Sequence, residues 1–298
     1  MRDNHGTQLA CSGPCGTCYP VVDGIPVLIN EKTSIFSIDD FVRGRETFFR
    51  RRGRLWRWLD RLIPSAVLNV GSARNYRDFT RAVHGLCDRP RVLVVGGSVP
   101  GAGMEALLDD DRIDLVETDV SLGPRTQLIA DAHDIPFADG TFDGAVAQAV
   151  LEHVIEPARC VAELHRVLTP GGFLYVEMPF MQPVHGGRYD FTRLTHSGLR
   201  WLLAEFEEVS SGAVCGPGSA ATYALTYFLR SFGTSRMSRA LLYRVGLLAT
   251  FWLKYFDLFL VRRVAALDAA SSIFFLARKS GTRVSPREVV SAYRGGHA

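Results

Sequence analysis

Arg91-Val92-Leu93-Val94-Val95, running into Gly96-Gly97-Ser98-Val99-Pro100-Gly101-Ala102-Gly103 and then into a second segment that ends Glu117-Thr118-Asp119, is the stretch that decides the fold. An apolar run without polar alternation fits a parallel strand buried on both faces. Glycines directly after such a strand let backbone amides approach a ligand closely, and an acid ~20 residues further on can accept hydrogen bonds from ribose hydroxyls. The pattern alone predicts an adenosine-type cofactor at the carboxyl ends of parallel strands.

Four downstream segments narrow the reading. In order they are Ile129-Ala130-Asp131-Ala132-His133-Asp134-Ile135-Pro136-Phe137, Thr141-Phe142-Asp143, Val150-Leu151-Glu152-His153-Val154 and Leu168-Thr169-Pro170-Gly171-Gly172-Phe173-Leu174. This series resembles the class I S-adenosylmethionine (SAM) dependent methyltransferases, in particular the type 11 group that includes the quinone C-methyltransferases. The resemblance implies an α/β fold with a doubly wound, seven-stranded, mostly parallel sheet, Rossmann-like; the Leu-, Phe-, Tyr- and Trp-rich stretch from Ala213 to Leu267 adds a helical insertion before the last strand. It also implies SAM as cofactor, with Asp119 on the ribose, Asp131 and Ala132 at the adenine, Gly96 and Gly97 beside the methionine portion, and Gln148 near the sulfonium. Val94 departs from the family, which commonly has an acid there, and Ser98-Val99-Pro100 replaces a second tight-turn glycine.

The pattern predicts strands near Arg91 to Val95, Ile113 to Glu117, Gly144 to Gln148 and Gly172 to Met178, with a helix from Pro157 to Leu168. After Leu199 it predicts a helix to Glu205, a strand from Phe206 to Gly212, and a last strand over Ser272 to Lys279. Strand and helix alternation with short Gly and Asp-Gly punctuation implies a sheet covered on both faces. The expected organisation is a ribbon-like segment at 1–30, a basic amphipathic helical region at 31–90, the SAM-binding core at 91–212, a hydrophobic helical insertion at 213–268, the last strand at 269–281 and a tail at 282–298.

Cys11, Cys15 and Cys18 precede Tyr19-Pro20-Val21-Val22-Asp23-Gly24-Ile25-Pro26-Val27-Leu28-Ile29, which is similar to the second half of a Trm112-like zinc ribbon. His5 would supply a fourth ligand for zinc, since thiolates and imidazole are its usual donors. The first cysteine pair of such a ribbon is missing, so a metal-free ribbon remnant is the expectation and a zinc site the alternative. From Ile38 to Ile63, Phe41, Phe48, Leu55, Trp56, Leu59 and Leu62 make one helical stripe. Eight arginines between Arg43 and Arg61 face only Glu46 and Asp60; they form either a solvated helix face or a seat for phosphate groups.

With 47% hydrophobic and 22% charged residues the chain can bury a large core, and a net charge of only +3 argues against a nucleic-acid partner. The polar first ten residues lack the apolar core of a signal peptide, so a reducing cytoplasmic location is expected, with peripheral membrane contact as an option. In the insertion, Leu241 to Leu260 holds eleven Leu, Phe or Val residues, contributing about −5 kcal/mol to membrane transfer, yet Arg244, Lys254 and Asp257 oppose it by up to about +8 kcal/mol. The insertion therefore caps an apolar substrate pocket, lies on a membrane, or forms a partner face.

On the acceptor side, Met178-Pro179-Phe180 with His185, Tyr189, Asp190, Arg193 and Thr195 resembles type 11 members associated with glycan and lipid-linked metabolites, which implies a small-molecule or lipid/glycan-linked substrate. His153 and His185 are the candidate catalytic bases, with Tyr189, Asp190 and Arg193 shaping the acceptor pocket. Two other readings share parts of this pattern. An NAD(P)-dependent oxidoreductase would use the same glycine turn and acid but gives Asp131-Ala132 no role; a methyltransferase-like scaffold at a membrane would need no catalysis.

Overall fold

The computed structural model describes residues 2–4, 8–11, 16–45, 47 and 64–297. An N-terminal antiparallel sheet contains β1 (Arg2–Asn4), β2 (Gln8–Ala10), β3 (Cys18–Val22) and β4 (Ile25–Pro26). A short helix, α1 (Ile38–Val42), comes next, and α2 (Ser72–His84) leads into the core. The remaining strands are β5 (Arg91–Val95), β6 (Asp114–Asp119), β7 (Leu128–Ile129), β8 (Phe142–Gln148), β9 (Leu168–Pro179), β10 (Phe206–Cys215) and β11 (Ser272–Lys279). They form one seven-stranded sheet in the order β10-β11-β9-β8-β5-β6-β7, with β11 antiparallel to both neighbours.

Side-chain alternation explains why the sheet is covered twice. Leu93 and Val95, Ala145 and Ala147, Leu174 and Val176, and Ile273 and Phe275 pack in one apolar cluster with Leu164 and Leu199. Their neighbours Val92, Val94, Val146, Tyr175 and Phe274 pack in another, against Tyr76, Phe79 and Val83 of α2. Successive residues of a strand point to opposite faces, so each strand feeds both layers. The helices of the first face are α4 (Pro157–Val167) and α5 (His196–Leu202); α3 (Glu105–Leu108) lies between β5 and β6 in sequence.

The structure corrects several expected boundaries. The strand expected from Gly172 begins at Leu168, the one expected to end at Gly212 runs to Cys215, and the two-residue β7 was not anticipated. Residues 213–215 thus belong to the sheet rather than to the insertion. The helix expected to reach Glu205 stops at Leu202, and a helix within the region read as 31–90 runs over Ser72–His84. Residues Phe48, Leu55, Trp56, Leu59 and Leu62 of the expected basic helix lie outside the described residues, whereas Phe41 is buried with Val27, Ile29, Phe36 and Ile129. The N-terminal segment joins the main sheet at its β7 edge: Val27 bridges Ile129 in parallel, and Leu28 N–H donates to Ile129 O at 2.8 Å.

The insertion comprises α6 (Pro217–Arg230), α7 (Arg236–Thr250), a tight-wound turn over Phe251–Phe256, α8 (Asp257–Leu260) and a final turn over Val264–Asp268. Among the described residues no helix is long and apolar enough to cross a membrane. After β11, α9 (Pro286–Ser291) buries Val289.

One titratable group in this frame has a pH consequence. Burial, reinforced by the nearby Arg200 charge, lowers the pKa of His196 to about 4; its Nε2 lies 2.8 Å from Ser211 Oγ, whose hydroxyl donates to Glu208. A folded-state value below the unfolded ~6.5 means stability that is fully present above pH 6.5 and is lost as pH falls towards 4. The loss is expected to be on the order of 3 kcal/mol. Urea midpoints should therefore fall more steeply from pH 6.5 to 4 in the wild type than in His196→Gln; parallel curves would contradict this.

Candidate cofactor and acceptor site

The carboxyl ends of β5, β6 and β8 open into one cavity lined by Val95, Gly96, Asp119, Val120, Ala130, Asp131, Ala132, His133, Ala149, Val150, His153 and Val154, with Ile35, Phe36 and Tyr189 closing it. Gly96 turns here with φ +75°, and a Cβ on it would sit 2.6 Å from Val150 Cγ2. Only glycine accommodates both demands. Ala149 also has positive φ, at 54°, a conformation that non-glycine residues rarely adopt and that tends to cluster at functional sites. Its N–H donates to Glu177 O at 2.9 Å, which ties this turn to β9.

Asp119 is 5% exposed and accepts from Ser98 N–H at 3.0 Å. Burial raises its pKa above the ordinary carboxylate value, and the backbone donors around it only partly offset that. A buried carboxylate in a cavity wall, its charge still disfavoured despite these donors, is suited to a ligand that brings hydroxyls. Asp131 is different. Burial works against its charge too, but hydrogen bonds from His133 and Ser34 outweigh it and hold the pKa low. His133 contributes its N–H at 3.0 Å and Nδ1 at 2.6 Å, and Ser34 Oγ donates to the other oxygen.

The acceptor side is built from two loops. His153 Nδ1 lies 2.7 Å from Tyr189 O, and its Nε2 lies 3.2 Å from Nε2 of His185. Burial lowers the pKa of His153, while attraction to the Glu152 carboxylate raises that of His185. Phe36 packs its ring 5.7 Å from that of Tyr189, so the N-terminal segment and the 182–193 loop meet over the cavity.

Of the residues expected to contact cofactor, Gly96, Asp119, Asp131 and Ala132 are in the wall, but Gly97 and Gln148 are not. Gly97 packs instead on Glu117, and the Gln148 amide is engaged by Tyr76 OH at 2.9 Å, Ala102 O at 3.1 Å and Glu177 at 2.8 Å. Buried Glu177 also accepts from Ser72 and Tyr175, so Gln148 belongs to a polar network behind the strands. Of the expected substrate residues only Tyr189 lines the cavity. Asp190 and Arg193 pair with each other, and Asp190 further accepts from His185 N–H at 2.7 Å and Gly186 N–H at 3.0 Å. Burial opposes the Asp190 charge, yet Arg193 and these amides hold its pKa well below the usual range. The pair shapes the loop that carries Tyr189 and His185. Cys15 and His5 lie outside the described residues, and among those described Cys11 and Cys18 do not group with a third metal-binding side chain. Sequence reasoning missed Ile35 and Phe36, which line the cavity, and Ser34, which donates to Asp131 97 positions further along the chain.

Sheet order, with the antiparallel β11 inserted beside β9, and a cavity at the parallel strand ends define a class I methyltransferase-type α/β domain. Residues 104–176 match the family model described as a methyltransferase domain. A demethylmenaquinone methyltransferase of Renibacterium salmoninarum is 34% identical over 134 residues, covering 42% of this chain and 55% of that protein. One of Paenarthrobacter aurescens is 32% identical over 132 residues, covering 41% and 51%. The chain thus spans about half the length of these curated relatives. Among solved structures, the 1,6-didemethyltoxoflavin-N1-methyltransferase of Burkholderia thailandensis, described with bound S-adenosylhomocysteine, aligns at TM-score 0.41 and 14% identity over 82% of this chain and 85% of that one. Residues 104–176 thus match a methyltransferase domain, and the sheet that carries them has the strand order of the class I methyltransferase fold.

Proposed function

We propose that this chain transfers the methyl group of SAM to a small-molecule acceptor of the lipid-linked, quinol-like kind. The observation that carries the cofactor half is Asp119: a buried carboxylate in a cavity wall, where burial outweighs the donors around it, at the end of β6 beside the glycine turn. Asp119 would hold the ribose hydroxyls, Asp131 and Ala132 the adenine, and the open space at Gly96 the methionine portion. SAM supplies an activated methyl on a sulfonium with a good leaving group, so the chain's task is mainly positioning and exclusion of water. Phe36 and Tyr189, meeting over the cavity, serve that exclusion.

The names of the relatives support a quinol-type acceptor. So does the insertion, which exposes Phe228, Phe232, Met237, Leu241, Leu248 and Trp252. Such a face suits a lipid tail or the surface of a membrane that carries it. His153 and His185 attend the acceptor, with Tyr189 beside them. The test is transfer of labelled methyl from SAM into a polyprenyl hydroquinone or a glycolipid, each offered in detergent and in anionic vesicles. Label should enter an organic-extractable product, and faster from vesicles if the exposed face meets the membrane. His153→Ala and His185→Ala should each lower turnover at least about a hundredfold while SAM affinity stays near wild type. No transfer above the enzyme-free rate to either lipid class would overturn the acceptor assignment, and unchanged turnover in both variants would remove the histidines from it.

A further inference from the structure

Glu152 is fully buried, and neither of its carboxylate oxygens has a hydrogen-bond partner. What faces it is a pair of imidazole nitrogens: Oε1 lies 3.6 Å from His153 Nε2 and 3.6 Å from His185 Nε2, and the two nitrogens are 3.2 Å apart. We propose that Glu152, His153 and His185 form a binding site for one divalent transition-metal ion at the acceptor side of the cavity.

The geometry fits an ion more closely than it fits hydrogen bonding. The three atoms make a nearly equilateral triangle, and a point about 2.1 Å from each lies just off its plane, within the usual range for imidazole and carboxylate ligands of zinc. A hydrogen bond between the imidazoles accounts for one edge only. It leaves a fully buried carboxylate unbonded, which is costly. The surroundings also match. His153 points Nδ1 at Tyr189 O, 2.7 Å away, the outward partner that fixes a metal-bound imidazole in the required tautomer. Around His185, Nδ1 has Arg193 Nη2 at 3.3 Å and Asp190 Oδ2 at 3.6 Å. Ligation through Nε2 places the His185 proton on Nδ1, so that the Asp190 contact replaces the Arg193 one. Two imidazoles and one carboxylate favour zinc, iron(II), cobalt or manganese over calcium and magnesium, which prefer all-oxygen shells. Since His153 lines the cavity, positions left open on the ion can take an acceptor oxygen. That role rests on the methyl-transfer reading; the binding does not.

The test is titration of the untagged, chelator-stripped full chain with cobalt(II), read by visible absorption, followed by competition with zinc(II). One equivalent should bind, with Kd of about micromolar or tighter, and zinc should displace it. Glu152→Gln and His185→Ala should each weaken binding at least about a hundredfold, while Cys18→Ser, in the N-terminal sheet, should leave it unchanged. His185 is partly exposed, so its variant is expected to fold even if Glu152→Gln is impaired. Substoichiometric cobalt in folded wild type, or binding that survives His185→Ala, overturns the site. SAM binding measured on the same samples separates that outcome from failure of the cofactor assignment.

Discussion

Asp257→Ala is expected to destabilise the folded chain by about 3–5 kcal/mol, since it removes a buried charged partner from groups that then have none. Asp257 is fully buried, and its carboxylate accepts from Gly216 N–H at 3.0 Å, Gly218 N–H at 2.7 Å, Ser219 N–H at 2.9 Å and Ser219 Oγ at 2.6 Å. These are first-turn donors of α6, which the helix itself cannot satisfy and whose partial positive charge favours an anion. The approach depends on glycines: a Cβ at Gly216 would sit 2.5 Å from Asp257 Oδ1. One side chain therefore fastens the end of the inserted helices to the start of α6. At roughly 2–4 °C per kcal/mol the melting temperature should fall by roughly 6–20 °C. Asp257→Asn, which keeps one acceptor, should lie between. A melting curve for the alanine variant within 1 °C of wild type would contradict this account of how the insertion is held.

Asp119→Ala should weaken SAM binding by about tenfold to several hundredfold, because each charge-assisted hydrogen bond to a ribose hydroxyl contributes roughly 1.5–3 kcal/mol. Its effect on stability should be small. Burial already holds the Asp119 pKa above the ordinary value, so the unliganded fold gains little from that charge. Asp119→Asn keeps the shape and one acceptor and should bind with intermediate affinity. Calorimetric titration of the three proteins checks both statements; equal affinities would move the ribose elsewhere.

The chain's own chemistry made some of this legible. Arg91–Val95 and Ser272–Lys279 were predicted with the bounds observed, since unbroken apolar runs flanked by polar or glycine residues leave little room for another register. Leu128–Ile129 was not predicted, because two residues show no periodicity and this strand exists only by pairing with β6 and bridging Val27. Gly96, Asp119, Asp131 and Ala132, which the order of short local motifs placed together, all lie in the cavity wall. Gln148 was expected at the cofactor, but a polar network with Tyr76 and Glu177 claims its amide. That network joins residues 72 and 105 positions apart in the chain, through the Tyr76–Gln148 and Ser72–Glu177 contacts, so no local pattern announces it. The same reason hid Ser34, Ile35 and Phe36. Asp190 and Arg193 were picked out by the resemblance, and in the fold they pair with each other and hold a loop. Asp257, read in sequence as a charge opposing membrane transfer, turns out to be the anchor of the insertion.

The central claim, that the cavity at the ends of β5, β6 and β8 is a SAM site, is tested most directly by titrating SAM into the purified wild-type chain, with NADH as the comparison ligand. Binding of one equivalent of SAM with Kd of about 1–100 μM and no measurable binding of NADH is the predicted result. No SAM binding up to about millimolar concentration in folded protein, or preference for NADH, would contradict it.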